Sequence, residues 1–439
     1  MKRLMLGLIV ATFGAALGIA AGGGAATARG EDSRQFRGEN RDGKSAETGL
    51  WKNFKNEDAK PELLWMAEGI GKGYASVSVV GDRIYTTGNT GKGQAVFALS
   101  ASDGTIVWST PITSEDPKHS YDGSRSTPTV DGKRLYVVGS AGSIVCLNTA
   151  DGKEVWSRKF SDWDGKMMSG WGFSESPLVD GDRVVCTPGG SKGIVVALNK
   201  ATGETIWEAT LPDYGDESGR NGGKLKDGAG YSSIMISEGG GVKQYVQLVG
   251  RGVIGLRASD GELLWRYDGV ANDTANIPTV LVDGDHVFCS TAYNTGSALL
   301  KLTADGKDKV KMTEVYQLSS KEMQNKHGGM VLVDGYIYCG DGNGSGDPIC
   351  VKMSDGKTAW GPERGERGGE SSVSYADGAV IFRRAKGQVL IVEATPEKFN
   401  LMASFMPDYQ EADSWSYPVV SGGKLYLREQ DKLMCYRLK

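Results

Sequence analysis

A large excess of charge of either sign is missing from this chain of 439 residues, whose 50 basic and 54 acidic side chains are intermixed. No basic stripe of the kind that nucleic-acid binding needs is present, so we expect no nucleic-acid partner. Histidine is scarce. His119, His286 and His327 show no His-x-x-x-His spacing and no Cys-x-x-Cys partner, which argues against a zinc site. There is no Gly-x-Ser-x-Gly nucleophile elbow. Gly69-Ile-Gly-Lys-Gly73 has the composition of a phosphate loop but no helical pattern behind it.

Long apolar runs are also missing beyond the first 28 residues, so no transmembrane span is expected in the mature chain. Within those 28, Lys2 and Arg3 precede an apolar stretch from Leu4 to Ala21, and Ala26-Thr27-Ala28 fits a small-residue cleavage site. We expect residues 1–28 to be a signal peptide cleaved near Ala28 and the mature protein to be exported, periplasmic or secreted. No lipid-anchoring cysteine follows the apolar stretch.

What the chain has in abundance is glycine, 64 residues, in a repeated setting. A Gly/Asp turn, a short apolar strand, a second turn and an apolar strand ending in Trp recur along its length. The clearest copies are Ala-Leu-Ser-Ala-Ser-Asp-Gly-Thr-Ile-Val-Trp ending at Trp108, Cys-Leu-Asn-Thr-Ala-Asp-Gly-Lys-Glu-Val-Trp ending at Trp156, and Ala-Leu-Asn-Lys-Ala-Thr-Gly-Glu-Thr-Ile-Trp ending at Trp207. Others end at Trp265 and Trp360, degenerate copies at Tyr316 and Phe405, and a partial one at Trp65, at intervals of 43 to 58 residues. A period of this size with Asp-Gly hairpin turns describes four-stranded blades of a β-propeller.

Eight strand-B cores can be counted, from Ile84-Tyr85 to Leu425-Tyr426, and the last unit runs out of chain after its third strand. The segment 61–65 has the sequence of a fourth strand with none before it. We therefore expect an all-β, eight-bladed propeller over residues 61–439, preceded by a leader at 29–60 and closed by the N-terminal strand joining the C-terminal blade. Trp65, Trp108, Trp156, Trp207, Trp265 and Trp360 then fill the gaps between blades. The six cysteines fall in two packing slots occupied elsewhere by Ala98, Ala197, Val137 or Thr86. Only Cys339 and Cys350, on neighbouring strands, suggest a disulfide.

The A-to-B and C-to-D turns are short and stereotyped, whereas the D-to-A and B-to-C connections are long, variable and rich in aromatic and charged residues. Binding belongs on that second face. Its innermost strands begin with Tyr74, Arg125, Trp171, Glu175, Tyr231, Asn276, His327, Glu370, Trp415 and Tyr417, the candidate residues of a central funnel. In blade six Asp341, Asn343, Ser345 and Asp347 alternate with glycines as in a calcium loop, although the twelfth position is Lys352.

The pattern Ala-Leu-x-x-x-(Asp/Thr)-Gly-x-x-x-Trp resembles the pyrroloquinoline quinone (PQQ) repeat, shared by quinoprotein dehydrogenases and BamB-like propellers of outer-membrane protein assembly. Gln35-Phe-Arg-Gly-Glu-Asn-Arg-Asp-Gly43 also resembles the leader of exported PQQ-repeat proteins, with Glu39 where Pro is usual. The BamB-like resemblance implies a non-catalytic scaffold in the cell envelope that presents its loops to partner proteins; we expect a monomer that holds an envelope protein or a small-molecule ligand on the loop face. The quinoprotein resemblance implies a PQQ-dependent alcohol or sugar dehydrogenase, and funnel position, not a matching motif, makes Glu175 and Asn276 the candidates for calcium oxygens and Arg125 the candidate for a quinone clamp. The adjacent cysteines and the Cys-x-x-Cys-His motif of such enzymes are absent.

Overall fold

A computed structural model describes residues 1, 32–52, 54, 56–365 and 368–439. The expected signal peptide lies outside the described residues, apart from Met1. No helix among them is long and apolar enough to cross a membrane.

Eight blades, each of four antiparallel strands, form the described structure, and the sheet of blade seven gains a fifth, parallel strand from the leader. Blade two is representative, with strand A at Thr129–Asp131, B at Arg134–Gly139, C at Ser143–Asn148 and D at Glu154–Lys159. Strands B and C are buried almost throughout, while D alternates between exposed and half-buried positions because it forms the rim. The D strands run past the Trp that ends the repeat. The A strands are shorter than the sequence pattern suggests, because residues before them bond to the neighbouring blade instead. Ser76 N–H donates to Thr127 Oγ1 at 3.1 Å, Thr127 N–H to Ser176 Oγ at 2.9 Å, Ser176 N–H to Ser233 Oγ at 3.1 Å and Ser233 N–H to Thr279 Oγ1 at 3.1 Å. This belt of hydroxyls ties blades one to five around the axis.

Between blades the packing follows the repeat. The Trp108 indole donates to Thr149 O at 3.1 Å and Trp156 to Lys200 O at 3.1 Å, each reaching the C-to-D turn of the next blade. Trp207 and Trp360 bond Ala258 O and Thr395 O in the same manner, at 3.2 and 2.7 Å. The glycine of that turn is required by contact as well as by conformation: Gly203 has φ +75°, and a Cβ there would lie 2.7 Å from Trp156. Trp65 packs against Gly104 likewise. Trp265 differs, donating within its own blade to Gln244 Oε1 at 2.6 Å.

The ring closes as expected. Glu62–Glu68 pairs antiparallel with Lys432–Arg437 and becomes the outer strand of blade eight. Buried Arg428 crosses the seam, donating to Thr86 Oγ1 at 2.6 Å and Gly71 O at 2.8 Å in blade one.

The leader is part of the ring: Lys44–Ser45 pairs parallel with Ser371–Ala376 of blade seven, and Leu50 and Trp51 are buried in the apolar cluster between blades seven and eight. All six cysteines are buried thiols, as their packing slots suggested, and Cys339 and Cys350, the one pair that strand position made plausible, are not joined. Cys339 stands opposite Ile349 and Tyr338 opposite Cys350, so the two sulfurs point to opposite faces of the sheet. Cys339 packs toward blade five and Cys350 toward blade seven.

Candidate functional site

The D-to-A and B-to-C connections surround a cavity of about 320 Å³ at the centre of one face. Seven of the ten funnel residues expected from strand position line it: Tyr74, Arg125, Trp171, Tyr231, His327, Glu370 and Trp415. Trp415 is its aromatic centre, with ring centroids of His327, Tyr74 and Tyr121 at 4.7, 4.9 and 5.1 Å. Trp171 and Tyr231 form a second aromatic pair at 5.9 Å, held by a Tyr231–Ser169 hydroxyl bond of 2.8 Å.

Polar groups are set between these aromatics. Lys326 Nζ lies 2.6 Å from Glu370 Oε1, and His327 Nδ1 lies 3.7 Å from the same oxygen. Burial pushes the Glu370 carboxyl up, but the bond from Lys326, joined by the charge of His327 only when that ring is protonated, holds the group below its usual value. Burial pulls His327 well below the ordinary imidazole value, leaving its ring neutral near pH 7. Arg125 is lowered by burial to about 10 and remains cationic. Its donors are spent on its own loop, Nη1 on Gly123 O at 2.8 Å and Nη2 on Tyr121 O at 2.6 Å and Ser120 O at 3.1 Å.

The other three candidates lie elsewhere. Glu175 is buried below the cavity, where Oε2 accepts from Thr187 N at 2.6 Å and Oε1 from Thr187 Oγ1 and Gln247 Nε2 at 3.0 and 3.2 Å. Burial raises its pKa to about 8. Asn276 is fully buried, its amide donating to Val249 O at 2.8 Å and its oxygen accepting from Asn272 N at 3.1 Å. Tyr417 faces the opposite end of the ring, in contact with Phe36 and Arg37 of the leader.

That opposite end is occupied by the leader. Ser33 pairs with Val79, Arg34 O accepts from Val130 N at 2.8 Å, and Gly43 O accepts from Tyr375 N at 2.8 Å. Arg41 donates to Ser176 O, Pro177 O and Ile234 O at 2.7, 3.1 and 3.0 Å, and Arg37 donates to Met330 O. Glu47 accepts from the Gly422 and Gly423 amides. The leader is thus bonded at or beside the inner strands of six blades and to the A-to-B turn of blade eight, at the end opposite the cavity.

Position along the repeat did not reveal Tyr121, Ser174, Ala275, Ile277, Tyr293, Lys326 and Asp413, which complete the lining. Lys326 and Asp413 neighbour candidates in sequence; Tyr121 and Tyr293 are loop residues whose backbone turn brings them inward. In the blade-six hairpin, Asp341 stands opposite Asp347, Asp341 Oδ1 accepts from Gln324 N at 2.9 Å, and Asp347 pairs with Arg384 at 3.4 Å. Asn343 and Ser345 are exposed at its tip. No cluster of three His, Cys, Asp or Glu residues suited to a metal occurs among the described residues.

A ring of Trp-locked blades around an aromatic-lined cavity defines a PQQ-repeat β-propeller. The family model described as outer membrane protein assembly factor BamB matches residues 45–220 and 116–362, and the chain belongs to that family. BamB of Alteromonas naphthalenivorans is 33% identical over 98 residues, covering 20% of this chain and 23% of that protein. Polyvinylalcohol dehydrogenase of Sphingopyxis sp. is 26% identical over 175 residues, covering 34% of this chain and 24% of the enzyme. The matches thus span about a quarter of the length of these curated relatives. Among solved structures, BamB from Moraxella catarrhalis superposes with a TM-score of 0.58 at 12% identity, covering 86% of this chain and 98% of its own. Quinohemoprotein alcohol dehydrogenase from Comamonas testosteroni gives 0.62 at 12% identity, covering 93% and 80%. At such identities the superpositions speak for the fold alone.

Proposed function

We propose that this chain is an exported, non-catalytic binding propeller of the cell envelope, whose loop-face funnel receives a ligand or a segment of an envelope protein. The signal-peptide pattern and the outer-membrane assembly role named in the family description support the location. Binding is supported by an open cavity of about 320 Å³ lined with aromatic faces and a few placed polar groups.

The observation that carries the non-catalytic reading is the disposition of the groups a quinone enzyme needs. Glu175 and Asn276, the oxygens expected for calcium, are buried and hydrogen-bonded to protein partners. Arg125, expected to clamp the quinone, has its Nη donors committed to three backbone carbonyls. These residues do not fit PQQ and calcium.

Titration of the purified protein with PQQ and calcium, read by quinone absorbance and by dye reduction with alcohols and sugars, tests this reading. We expect neither stoichiometric quinone binding nor turnover. Quinone binding with turnover that Trp415→Ala abolishes would overturn it.

A further inference from the structure

Two tyrosines at the funnel mouth occupy backbone conformations that tyrosine rarely adopts. Tyr121 has φ +57°, and Tyr293 has φ +58° next to Asn294 at +65°. Tyr293 and Asn294 sit at the tip of the hairpin between His286–Thr291 and Gly296–Ala304, where Gly, Asn and Asp are the residues that take positive φ readily. A bulky residue retained in such a position marks a local conflict between stability and function. Both strained tyrosines line the same cavity. Tyr121 is 53% exposed, so burial does not account for its presence. Arg125 holds it in place by binding its carbonyl at 2.6 Å.

The charges around them are already matched. Lys326 is paired with Glu370 at 2.6 Å, Asp413 has Lys386 at 4.0 Å, and the Nη donors of Arg125 are spent on carbonyls. Among the described residues lining the cavity, an anionic aromatic ligand therefore finds no unpaired cation to clamp it, and a cationic ligand no unpaired carboxylate. What is offered is a set of aromatic faces with hydrogen-bond donors and acceptors between them. A pyranose ring has the complementary surface, a face of C–H bonds that stacks on an aromatic ring and a rim of hydroxyls that donate and accept.

Resting on the binding reading above, we propose that the funnel takes a neutral oligosaccharide, with a sugar ring stacked on Trp415 and Tyr121 and Tyr293 closing on it as contact residues. Lys326 and Glu370 then supply the donor and acceptor for its hydroxyls. No bond is made or broken in this role.

The test is titration of the full mature chain with maltotriose, cellotriose and the trimer of N-acetylglucosamine, followed by tryptophan fluorescence and by calorimetry. At least one trisaccharide is expected to saturate, with affinity lowered tenfold or more by Trp415→Ala, Tyr121→Asn and Tyr293→Asn. Because Asn accepts positive φ, the two tyrosine variants should keep or raise Tm. Failure of all three sugars to saturate overturns the proposal, as does unchanged affinity in the tyrosine variants. Quinone binding with turnover would remove the binding reading itself. Absence of both sugar and quinone binding, with envelope components still protecting the funnel loops from exchange, removes only the saccharide.

Discussion

Glu175 and Glu370 begin inner strands on different sides of the same ring, and the two ends of the channel treat them differently. Glu370 faces the open cavity, paired with Lys326 and held ionised. Glu175 lies on the side toward the leader, fully enclosed, bonded to Thr187 and Gln247 and pushed up to about 8 by burial. The arginines divide in parallel. Arg41 spends three donors fastening the leader to blades three and four, whereas Arg125 spends its donors presenting a loop to solvent. A buried charge satisfied by backbone is architecture; a pair left at the edge of a cavity is available to a ligand.

This contrast can be broken from either end. The largest effect is expected for Arg41→Ala, which strands three carbonyls and removes the positive charge nearest Glu175. We expect a loss of about 3 kcal/mol in urea unfolding, with the funnel unchanged in ligand affinity. Gly203→Ala should cost about 2 kcal/mol, since it adds a Cβ 2.7 Å from Trp156 at φ +75°, again without touching the funnel. Trp415→Ala is the reverse case, costing about 1 kcal/mol in lost aromatic contacts while abolishing ligand binding.

Glu175 also gives the two ends a different pH dependence. Its pKa is raised in the folded state from an ordinary 4.5 to about 8. The folded chain therefore binds the extra proton, and the stability this contributes is full below about 4.5 and lost as pH rises through about 8. Urea midpoints measured between pH 5 and pH 8.5 should fall for the wild type, and Glu175→Gln should flatten that fall.

The repeat made the ring legible because each Trp and each Asp-Gly turn has one job in every blade, and the unpaired strand at 61–65 announced the closure. The leader was not legible as part of the ring. Among its described residues the one strand is Lys44–Ser45, and much of its hold comes from arginine-to-carbonyl bonds that no local pattern encodes. Strand position found Trp171, Tyr231, His327, Glu370 and Trp415, but it does not report depth along the axis, so Glu175, Asn276 and Tyr417 were grouped with them. Tyr121 and Tyr293 escaped because positive φ at a tyrosine leaves no mark in sequence. Alternation within a strand was sufficient to separate Cys339 from Cys350 once the register was known.

The central claim is that one end of the channel binds and the other is held by the leader. Hydrogen–deuterium exchange of the mature chain, with and without a soluble extract of the cell envelope, tests it directly. The account predicts new protection in 115–125, 166–175 and 408–417 and at the 292–295 hairpin, with residues 33–47 already protected and unchanged. New protection confined to 33–47, with the funnel loops unaffected, would contradict it.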